Sequence, residues 1–275
     1  MKNMADESVN LIYIDPPFNT GKSQKRTQIK ATLSAGGDRV GFKGQKYKTV
    51  LLGTKEYSDI FYDNDDYLKF LEPRLLEAKR VLSKTGMLYF HIDYREVHYC
   101  KVLLDQIFGR KSFLNEIIWA YDYGGKAKNK WPTKHDNILV YVKDPKKYVF
   151  NVDEVDRIPY MAPNLVGPEK AAKGKLPTDT WWHTIVPTNG SEKTGYPTQK
   201  PLGVINRIVR VSSNEGDTVL DFFAGSGTIG ASCLALKRRF ILIDNSTQAL
   251  SVMAKRFANA NNIQWIGFDP KRHRS

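Results

Sequence analysis

The chain has 275 residues, of which 41% are hydrophobic and 26% charged, so it can bury a core and is not a disordered tail. It carries 42 Lys and Arg against 29 Asp and Glu, and the formal net charge of +13 indicates a polyanionic partner. The sequence contains no run of roughly 18 apolar residues and begins without an apolar signal core, so we expect a soluble cytoplasmic protein. Cys100 and Cys233 are far apart, and we expect both to be buried without a disulfide or a zinc site.

Short apolar runs alternate with helical patterns, which is typical of an α/β fold with a mainly parallel sheet and helices on both faces. The first run predicts a strand at 9–14, and an apolar stripe at spacings of three and four predicts a helix over 67–82. Further strands are predicted at 87–92, 218–223 and 240–244, with a hairpin formed by 116–120 and 137–142. Further helices are predicted at 96–108, 201–212, 228–236 and 247–258.

Two segments interrupt this alternation. Residues 19–62 contain Gly36-Gly37 and further glycines among many basic residues, and we interpret them as a long basic loop. Residues 122–197 are rich in proline and have weak periodicity, which indicates an inserted, loop-rich recognition region.

The strand at 9–14 ends in the motif Asp15-Pro16-Pro17-Phe18, where open α/β sheets bind their ligands. Neither proline has an N–H group, so their carbonyls lack the usual neighbouring donors and can accept hydrogen bonds in a cleft. Asp15 and the Pro16 carbonyl can accept both hydrogens of a substrate NH₂ group while Phe18 stacks on its ring. The alternative is an ordinary turn at the end of a strand.

A second motif is a glycine turn between a strand and a helix. Gly225, Gly227 and Gly230 satisfy the spacing G-x-G-x-x-G, so a nicotinamide cofactor must be considered. Asp221 inside the preceding strand and Asp244 at the end of the next strand favour S-adenosylmethionine, although Asp244 also fits the ribose of NAD. The motif at 15–18 decides between the two cofactors, because a dehydrogenase does not need a turn that binds an amino group.

Three motifs together resemble those of the DNA amino-methyltransferases: Asp15-Pro16-Pro17-Phe18, Tyr196-Pro197-Thr198-Gln199-Lys200-Pro201 and Asp221-Phe222-Phe223-Ala224-Gly225-Ser226-Gly227. Their circularly permuted order, with the catalytic turn first and the cofactor glycines last, is similar to that of the beta class. The resemblance implies a Rossmann-like methyltransferase domain over 1–121 and 198–275, with 122–197 as a target-recognition insertion.

The resemblance also implies roles for individual residues. The implied cofactor-binding residues are Thr198, Lys200, Pro201, Asp221, Phe223, Ala224, Gly225, Gly227, Asp244 and Asn245. The residues expected to contact the target base or the DNA are Trp119, Tyr121, Lys126, Lys128 and Lys130, with a core role as the alternative for Trp119. Asp15 stands where the cytosine enzymes usually carry Ser, which implies adenine, and Phe18 stands where Tyr is usual.

The implied function is transfer of a methyl group from S-adenosylmethionine to the 6-amino group of a flipped adenine in double-stranded DNA, without a metal. The alternatives are a cytosine 4-amino or RNA amino-methyltransferase, an NAD-dependent dehydrogenase, and a catalytically silent DNA-binding subunit. We expect a monomer or homodimer, with a restriction endonuclease as a potential partner.

Some features depart from the family pattern or stand outside it. The family commonly has a short strand with Gly-Asp before the catalytic turn, and here the chain begins after that point. We expect residues 263–269 to supply this strand, with Asp269 beside the cofactor adenine, unless the reading frame is truncated. We interpret His91, Asp93 and His98 as structural residues rather than metal ligands.

Overall fold

The computed structural model describes residues 1–20, 24–40, 44–57, 61, 64–124, 127–187 and 189–273. The strands are β1 Val9–Ile14, β2 Gln24–Leu33, β3 Arg39–Val40, β4 Lys46–Tyr57, β5 Leu82–Ile92, β6 Phe113–Ala120, β7 His135–Val142, β8 Thr180–Trp182, β9 Thr218–Asp221 and β10 Arg239–Leu242. The helices are α1 Asn64–Val81, α2 Val97–Phe108, α3 Pro168–Lys173, α4 Leu202–Ser212, α5 Thr228–Ala235 and α6 Thr247–Arg256.

The central sheet has the strand order β10-β9-β1-β5-β7-β6-β8. β10, β9, β1 and β5 pair in parallel, and β8 pairs in parallel with β6. β7 runs antiparallel to both β5 and β6, so β6 and β7 form the predicted hairpin. The predicted mainly parallel α/β fold is therefore confirmed, with β1 in the middle of its parallel part.

Successive residues of β1 face opposite sides of the sheet, as the period of a strand requires. Ile12 and Ile14 pack in one core with α1 and α2, whereas Leu11 and Tyr13 pack in a second core with α4 and α5. The helices therefore cover both faces, as predicted. Both cysteines are buried and free.

The apolar stripe of α1 explains how the helix binds the sheet. Tyr67, Leu71, Leu75 and Ala78 are completely buried, and they recur at the helical spacing of three and four. Burying a Leu side chain contributes roughly 1.5–3 kcal/mol, so this stripe fixes α1 on the sheet and places Tyr67 beside the end of β1.

None of the described helices is long and apolar enough to cross a membrane.

The expectation of a long basic loop over 19–62 is wrong for the described part of that segment. β2, β4 and β3 form a separate antiparallel sheet, with β2 and β4 paired from Gln24↔Tyr57 to Leu33↔Tyr47. Gly36 and Gly37 lie in the turn after β2, where a side chain at Gly37 would collide with the backbone of Tyr47. The prediction failed because charged and polar residues occur throughout these strands, so they lack the regular apolar alternation that marks a half-buried strand.

The predicted insertion over 122–197 also needs correction. β7 lies inside this range, yet it is a core strand in which Leu139 and Tyr141 are completely buried. β8 adds to the edge of the same sheet, so the segments outside the sheet are 122–134, 143–179 and 183–197. The strand itself was predicted at 137–142, so the error lies in the bounds of the insertion and not in the strand.

The expected strand over 263–269 is absent from this described stretch, which is turns and irregular structure. Ile266 is 87% exposed, so the stretch lacks the buried side chains that would place it in the sheet.

Candidate active site

A cavity of about 1120 Å³ lies at the carboxyl ends of β1, β9 and β10. Its walls come from the turn after β1, the glycine turn after β9, the end of β10 and the segment 193–200. Ligands of open α/β sheets bind at this edge, because the loops that leave neighbouring parallel strands converge there.

The cavity brings together most of the residues that the sequence predicted. The predicted residues on its wall are Asp15, Pro16, Pro17, Phe18, Trp119, Tyr121, Thr198, Lys200, Asp221, Phe223, Ala224, Gly225, Asp244 and Asn245. Gly227, Pro201, Lys128 and Lys130 are described but lie off this wall, and Lys126 lies outside the described residues.

Asp15 is oriented by an ion pair with Lys200, whose Nζ lies 2.6 Å from Asp15 Oδ2. The other oxygen, Oδ1, is buried and has no hydrogen-bond partner among the residues that the structure describes. Lys200 Nζ also lies 4.8 Å from the centre of the Phe18 ring. One carboxylate oxygen at the cavity wall therefore keeps its capacity to accept a hydrogen bond, while the other holds the side chain in place.

Two further contacts hold the turn after β1. The Tyr67 hydroxyl of α1 donates to the Pro17 carbonyl at 2.6 Å, and Asn19 Nδ2 donates to Glu96 Oε1 at 2.9 Å. The Pro17 carbonyl is thus already engaged, so of the two proline carbonyls expected to be free acceptors it accepts a bond from within the protein. Pro16 remains on the cavity wall. Anchoring on both sides keeps the turn rigid, which favours a fixed geometry for a bound group.

Aromatic rings line the cavity beside this turn. The ring centres of Phe18 and His91 are 5.9 Å apart, and those of His91 and Trp119 are 5.5 Å apart. Trp119 is 2% exposed and donates its Nε1–H to the His183 carbonyl at 2.7 Å, so it has the core role weighed above although it touches the cavity. Tyr121 is half-buried.

On the opposite side, the buried carboxylate of Asp221 and the partly buried carboxylate of Asp244 bind backbone groups. Asp221 Oδ1 accepts from the Phe223 N–H at 2.9 Å, and burial raises the pKa of Asp221 well above its ordinary value. Asp244 accepts from the N–H groups of Gly225 and Ser246, each at 2.8 Å. Burial also raises the pKa of Asp244. These bonds fix the glycine turn against the end of β10.

The glycines of this turn are required by conformation and by space. Gly225 and Gly227 have φ values of +48° and +70°, which side chains rarely adopt. A Cβ at Gly225 would lie 3.1 Å from the Tyr196 ring, and one at Gly227 would lie 2.8 Å from Met253 Cγ of α6. The backbone at Gly225 is thereby left open to the cavity, and the one at Gly227 allows α5 to pack against α6.

These features fit S-adenosylmethionine. Both Asp244 oxygens still have lone pairs for ribose hydroxyls, and the glycine turn lets a ligand approach the backbone closely. Among the described residues, no group of three His, Cys, Asp or Glu side chains is placed to hold a metal ion.

The fold and this cavity define a class, the S-adenosylmethionine-dependent methyltransferases, and comparison with known proteins defines the family. The sequence profile described as DNA methylase (N6_N4_Mtase) matches residues 9–256, so the chain belongs to this family. It is 32% identical over 273 residues to the type II methyltransferase M.HpaI of Haemophilus parainfluenzae, covering 98% of this chain and 73% of that protein. It is 31% identical over 275 residues to the DNA adenine methyltransferase YhdJ of Escherichia coli K12, covering 95% and 80%.

A solved structure agrees on the fold. The PvuII DNA methyltransferase, described as cytosine-N4-specific, superposes with a TM-score of 0.62 over 98% of this chain and 85% of that chain, at 15% identity. The chain is therefore a DNA amino-methyltransferase that uses S-adenosylmethionine, and the predicted family and cofactor are confirmed. The NAD-dependent dehydrogenase considered above is excluded.

Several cavity residues were missed by sequence reasoning. The polar and charged ones include Tyr13, Arg74, Asp93, Arg95, Asp136 and Lys193. Tyr13 and Asp136 carried a usable signal, because each is a polar residue within a strand whose other residues are mostly apolar and buried. Lys200 was predicted to bind the cofactor, and its contact with Asp15 could not be seen in the sequence.

Proposed function

We propose that this protein methylates the 6-amino group of adenine in double-stranded DNA. The observation that carries the proposal is Asp15, whose Oδ2 is held by Lys200 while its buried Oδ1 has no partner among the described residues. A carboxylate with one oxygen held in this way is suited to bind one hydrogen of an amino group. The relative YhdJ, which is named a DNA adenine methyltransferase, supports the choice of adenine.

Asp15 Oδ1 and the Pro16 carbonyl would accept the two amino hydrogens, which turns the nitrogen lone pair away from the ring system. Phe18 would stack on the purine. When bound, S-adenosylmethionine supplies an electrophilic methyl group on its sulfonium. The methylated nitrogen must then lose one proton, and Asp15 is placed to accept it because its Oδ1 already binds that hydrogen.

We also propose that the target base leaves the duplex to reach this turn. Pro16, Pro17 and Phe18 are only partly exposed or buried, so a base stacked inside a helix could not reach them. Flipping a base out costs a few kcal/mol of stacking and pairing. Stacking on Phe18, with Trp119 and Tyr121 on the same cavity wall, offsets part of that free energy.

The cofactor would bind the other side of the cavity. We assign the ribose hydroxyls to Asp244 and close backbone contact to Phe223, Ala224 and Gly225, supported by their places on the wall. Asn245 and Thr198 line the same space. Asp221, Gly227 and Pro201 would act by shaping the backbone, and we propose that Lys200 orients Asp15.

Contacts with DNA outside the cavity are proposed for the segment 122–134. Lys128 and Lys130 are exposed there, next to Tyr123 and Gly124 of the cavity wall. Lysines in such positions neutralise backbone phosphates. A restriction endonuclease partner is a further proposal, supported by the type II designation of M.HpaI.

Methylation of the cytosine 4-amino group is the second candidate. It is favoured by the PvuII enzyme, a cytosine-N4-specific methyltransferase with the same fold. The acceptors offered by Asp15 and Pro16 would bind either amino group.

The decisive experiment incubates the protein with methyl-labelled S-adenosylmethionine and unmethylated duplex DNA or, separately, RNA, and identifies the modified nucleoside by mass spectrometry. We expect N6-methyladenine in DNA. Label in cytosine would replace adenine by the second candidate, and label in RNA alone would overturn DNA as the substrate. Binding of the cofactor without transfer would indicate a catalytically silent subunit.

A further inference from the structure

A chain of hydrogen bonds runs from the core of the sheet to the cavity mouth. The Tyr13 hydroxyl lies 2.8 Å from His91 Nδ1, and His91 Nε2 lies 3.1 Å from Asp136 Oδ2. The Tyr121 hydroxyl donates to the other oxygen, Asp136 Oδ1, at 3.0 Å. Side chains on β1, β5, β7 and the residue after β6 are thereby joined in one network.

The bonds have consistent directions. Asp136 accepts on both oxygens, so His91 carries a proton on Nε2, and its Nδ1 can accept from the Tyr13 hydroxyl. Burial acts to raise the pKa of Asp136, but interaction with His91, the charge of Lys200 and the bond from Tyr121 lower it below its ordinary value. Asp136 is therefore a buried negative charge that is held by its neighbours.

Such a group is not needed to build the strand that carries it. From Ile138 to Val142 the side chains of β7 are apolar and buried, and an apolar residue at 136 would avoid the desolvation of a charge. Asp136 and Tyr121 both line the cavity, and the ring of His91 lies 5.9 Å from that of Phe18. The network thus includes Tyr13 and Tyr121 of the wall, and its His91 lies against the wall residues Phe18 and Trp119.

We propose that His91 and Asp136 are positioning residues for the target base. His91 supports Phe18 from the core side, and Asp136 holds the hydroxyl of Tyr121, so both rings keep their places when the base enters. The Tyr121 N–H also donates to the Lys134 carbonyl at 2.8 Å, where the segment 122–134 joins the sheet. This inference rests on the proposed function, because it assigns the network to placing an amino-bearing base beside Asp15.

The test compares Tyr121→Phe, Asp136→Asn and the double variant. Tyr121→Phe keeps the ring and removes only the hydroxyl, whereas the amide introduced by Asp136→Asn would present N–H to one of the two donors that now bind the carboxylate. We expect the single-turnover rate of methyl transfer to fall about tenfold or more in each variant, with the cofactor Kd nearly unchanged. The double variant should be no slower than Asp136→Asn, because Tyr121→Phe removes the hydroxyl and Asp136→Asn removes the charge that this hydroxyl binds, so both changes act on one interaction.

Tyr89→Phe is the matched control. Tyr89 lies on β5 two residues before His91, is buried, and its hydroxyl lies 2.7 Å from Ser212 Oγ, away from the cavity wall. We expect it to lower the melting temperature as much as Tyr121→Phe does without slowing transfer.

Two results would overturn the inference while leaving the proposed function intact: a wild-type rate in Tyr121→Phe, or rate losses that add in the double variant. If Asp136→Asn fails to fold, the comparison of Tyr121→Phe with Tyr89→Phe still tests the inference. Tyr121→Phe should fold, because it keeps the half-buried ring and removes only the hydroxyl. An unmodified protein that transfers no methyl group to DNA would overturn the proposed function itself, and this inference with it.

Discussion

The two sides of the cavity are built by different means. The glycine wall, residues 221–226 and 244–246, uses carboxylates to hold its own backbone, with Asp221 bonded to Phe223 and Asp244 to Gly225. The turn wall, which consists of residues 15–18 with Tyr121, Asp136 and Lys200, uses side chains bonded to other side chains, among them the buried His91 behind the wall.

This difference bears on what each wall can change. A backbone cradle recognises a ligand that stays the same, and a substitution there first disturbs conformation. A wall of side chains can be altered one group at a time, and it is suited to a substrate that differs among related enzymes. We therefore expect turn-wall variants to lose turnover and glycine-wall variants to lose cofactor affinity.

The largest expected effect is that of Asp15→Asn. The amide removes the charge paired with Lys200 and can present N–H to the amino group that should donate to it, so we expect kcat to fall by about a thousandfold. The cofactor Kd should change little. Labelled methyl transfer and titration calorimetry measure the two quantities.

Asp153→Asn, at an exposed carboxylate off the cavity wall, is the control and should retain full turnover. Substantial activity in Asp15→Asn would show that the Asp15 carboxylate is not the acceptor for the substrate amino group. It would also contradict the expectation that turn-wall variants lose turnover.

The sequence predicted most of the central fold because its signals are local. β1, β9 and the stripe of α1 were found from apolar runs and periodicity, and the glycine turn from its spacing. β2 and β4 were missed because charged and polar residues occur throughout both strands, and because their partners lie 14 to 33 positions apart in the chain.

The candidate site divides in the same way. The residues of the three motifs could be named in advance, since each motif is continuous. The contact of Lys200 with Asp15 spans 185 positions, and the network of Tyr13, His91 and Asp136 joins three strands, so neither leaves a local pattern.

The next largest effect is expected on the glycine wall, from Asp244→Asn. One donor among the Gly225 and Ser246 N–H groups would then face an amide N–H, and a charged acceptor for ribose is lost. We expect the cofactor Kd to rise about 10- to 100-fold. Titration calorimetry measures this, and an unchanged Kd would contradict the ribose assignment.

The same carboxylate predicts a pH dependence. Burial raises the pKa of Asp244 above 3.8, so on acidification it takes up a proton at a higher pH than an exposed Asp would. Cofactor affinity should therefore be full at neutral pH and decline as the pH falls through the raised pKa. Calorimetry over a descending pH series should show less of this decline in Asp244→Asn.

A smaller effect is expected from Gly225→Ala. A side chain at φ +48° costs about 1–2 kcal/mol, and its Cβ would press on Tyr196, so the cofactor Kd should rise about tenfold at most. Calorimetry and thermal unfolding together separate affinity from stability.

Gly216→Ala is the matched control, because Gly216 has φ +81° with open space around it and lies off the cavity wall. It should lose comparable stability and keep its cofactor affinity. Equal losses of cofactor affinity in both variants would mean that backbone strain alone lowers the affinity, and that close contact with the backbone at Gly225 does not contribute.

The smallest effects are expected from Lys128→Ala and Lys130→Ala, whose side chains belong to neither wall. If each lysine neutralises one phosphate, each substitution should reduce the slope of log Kd for duplex DNA against log salt concentration by about one unit. Turnover at saturating DNA and cofactor affinity should be unchanged, because both side chains lie off the cavity wall.

Lys147→Ala supplies the control, since Lys147 is exposed beyond the end of β7 that lies farthest from the cavity. An unaltered slope in both lysine variants would place the DNA backbone elsewhere, and a fall in kcat would mean that segment 122–134 helps to form the turn wall.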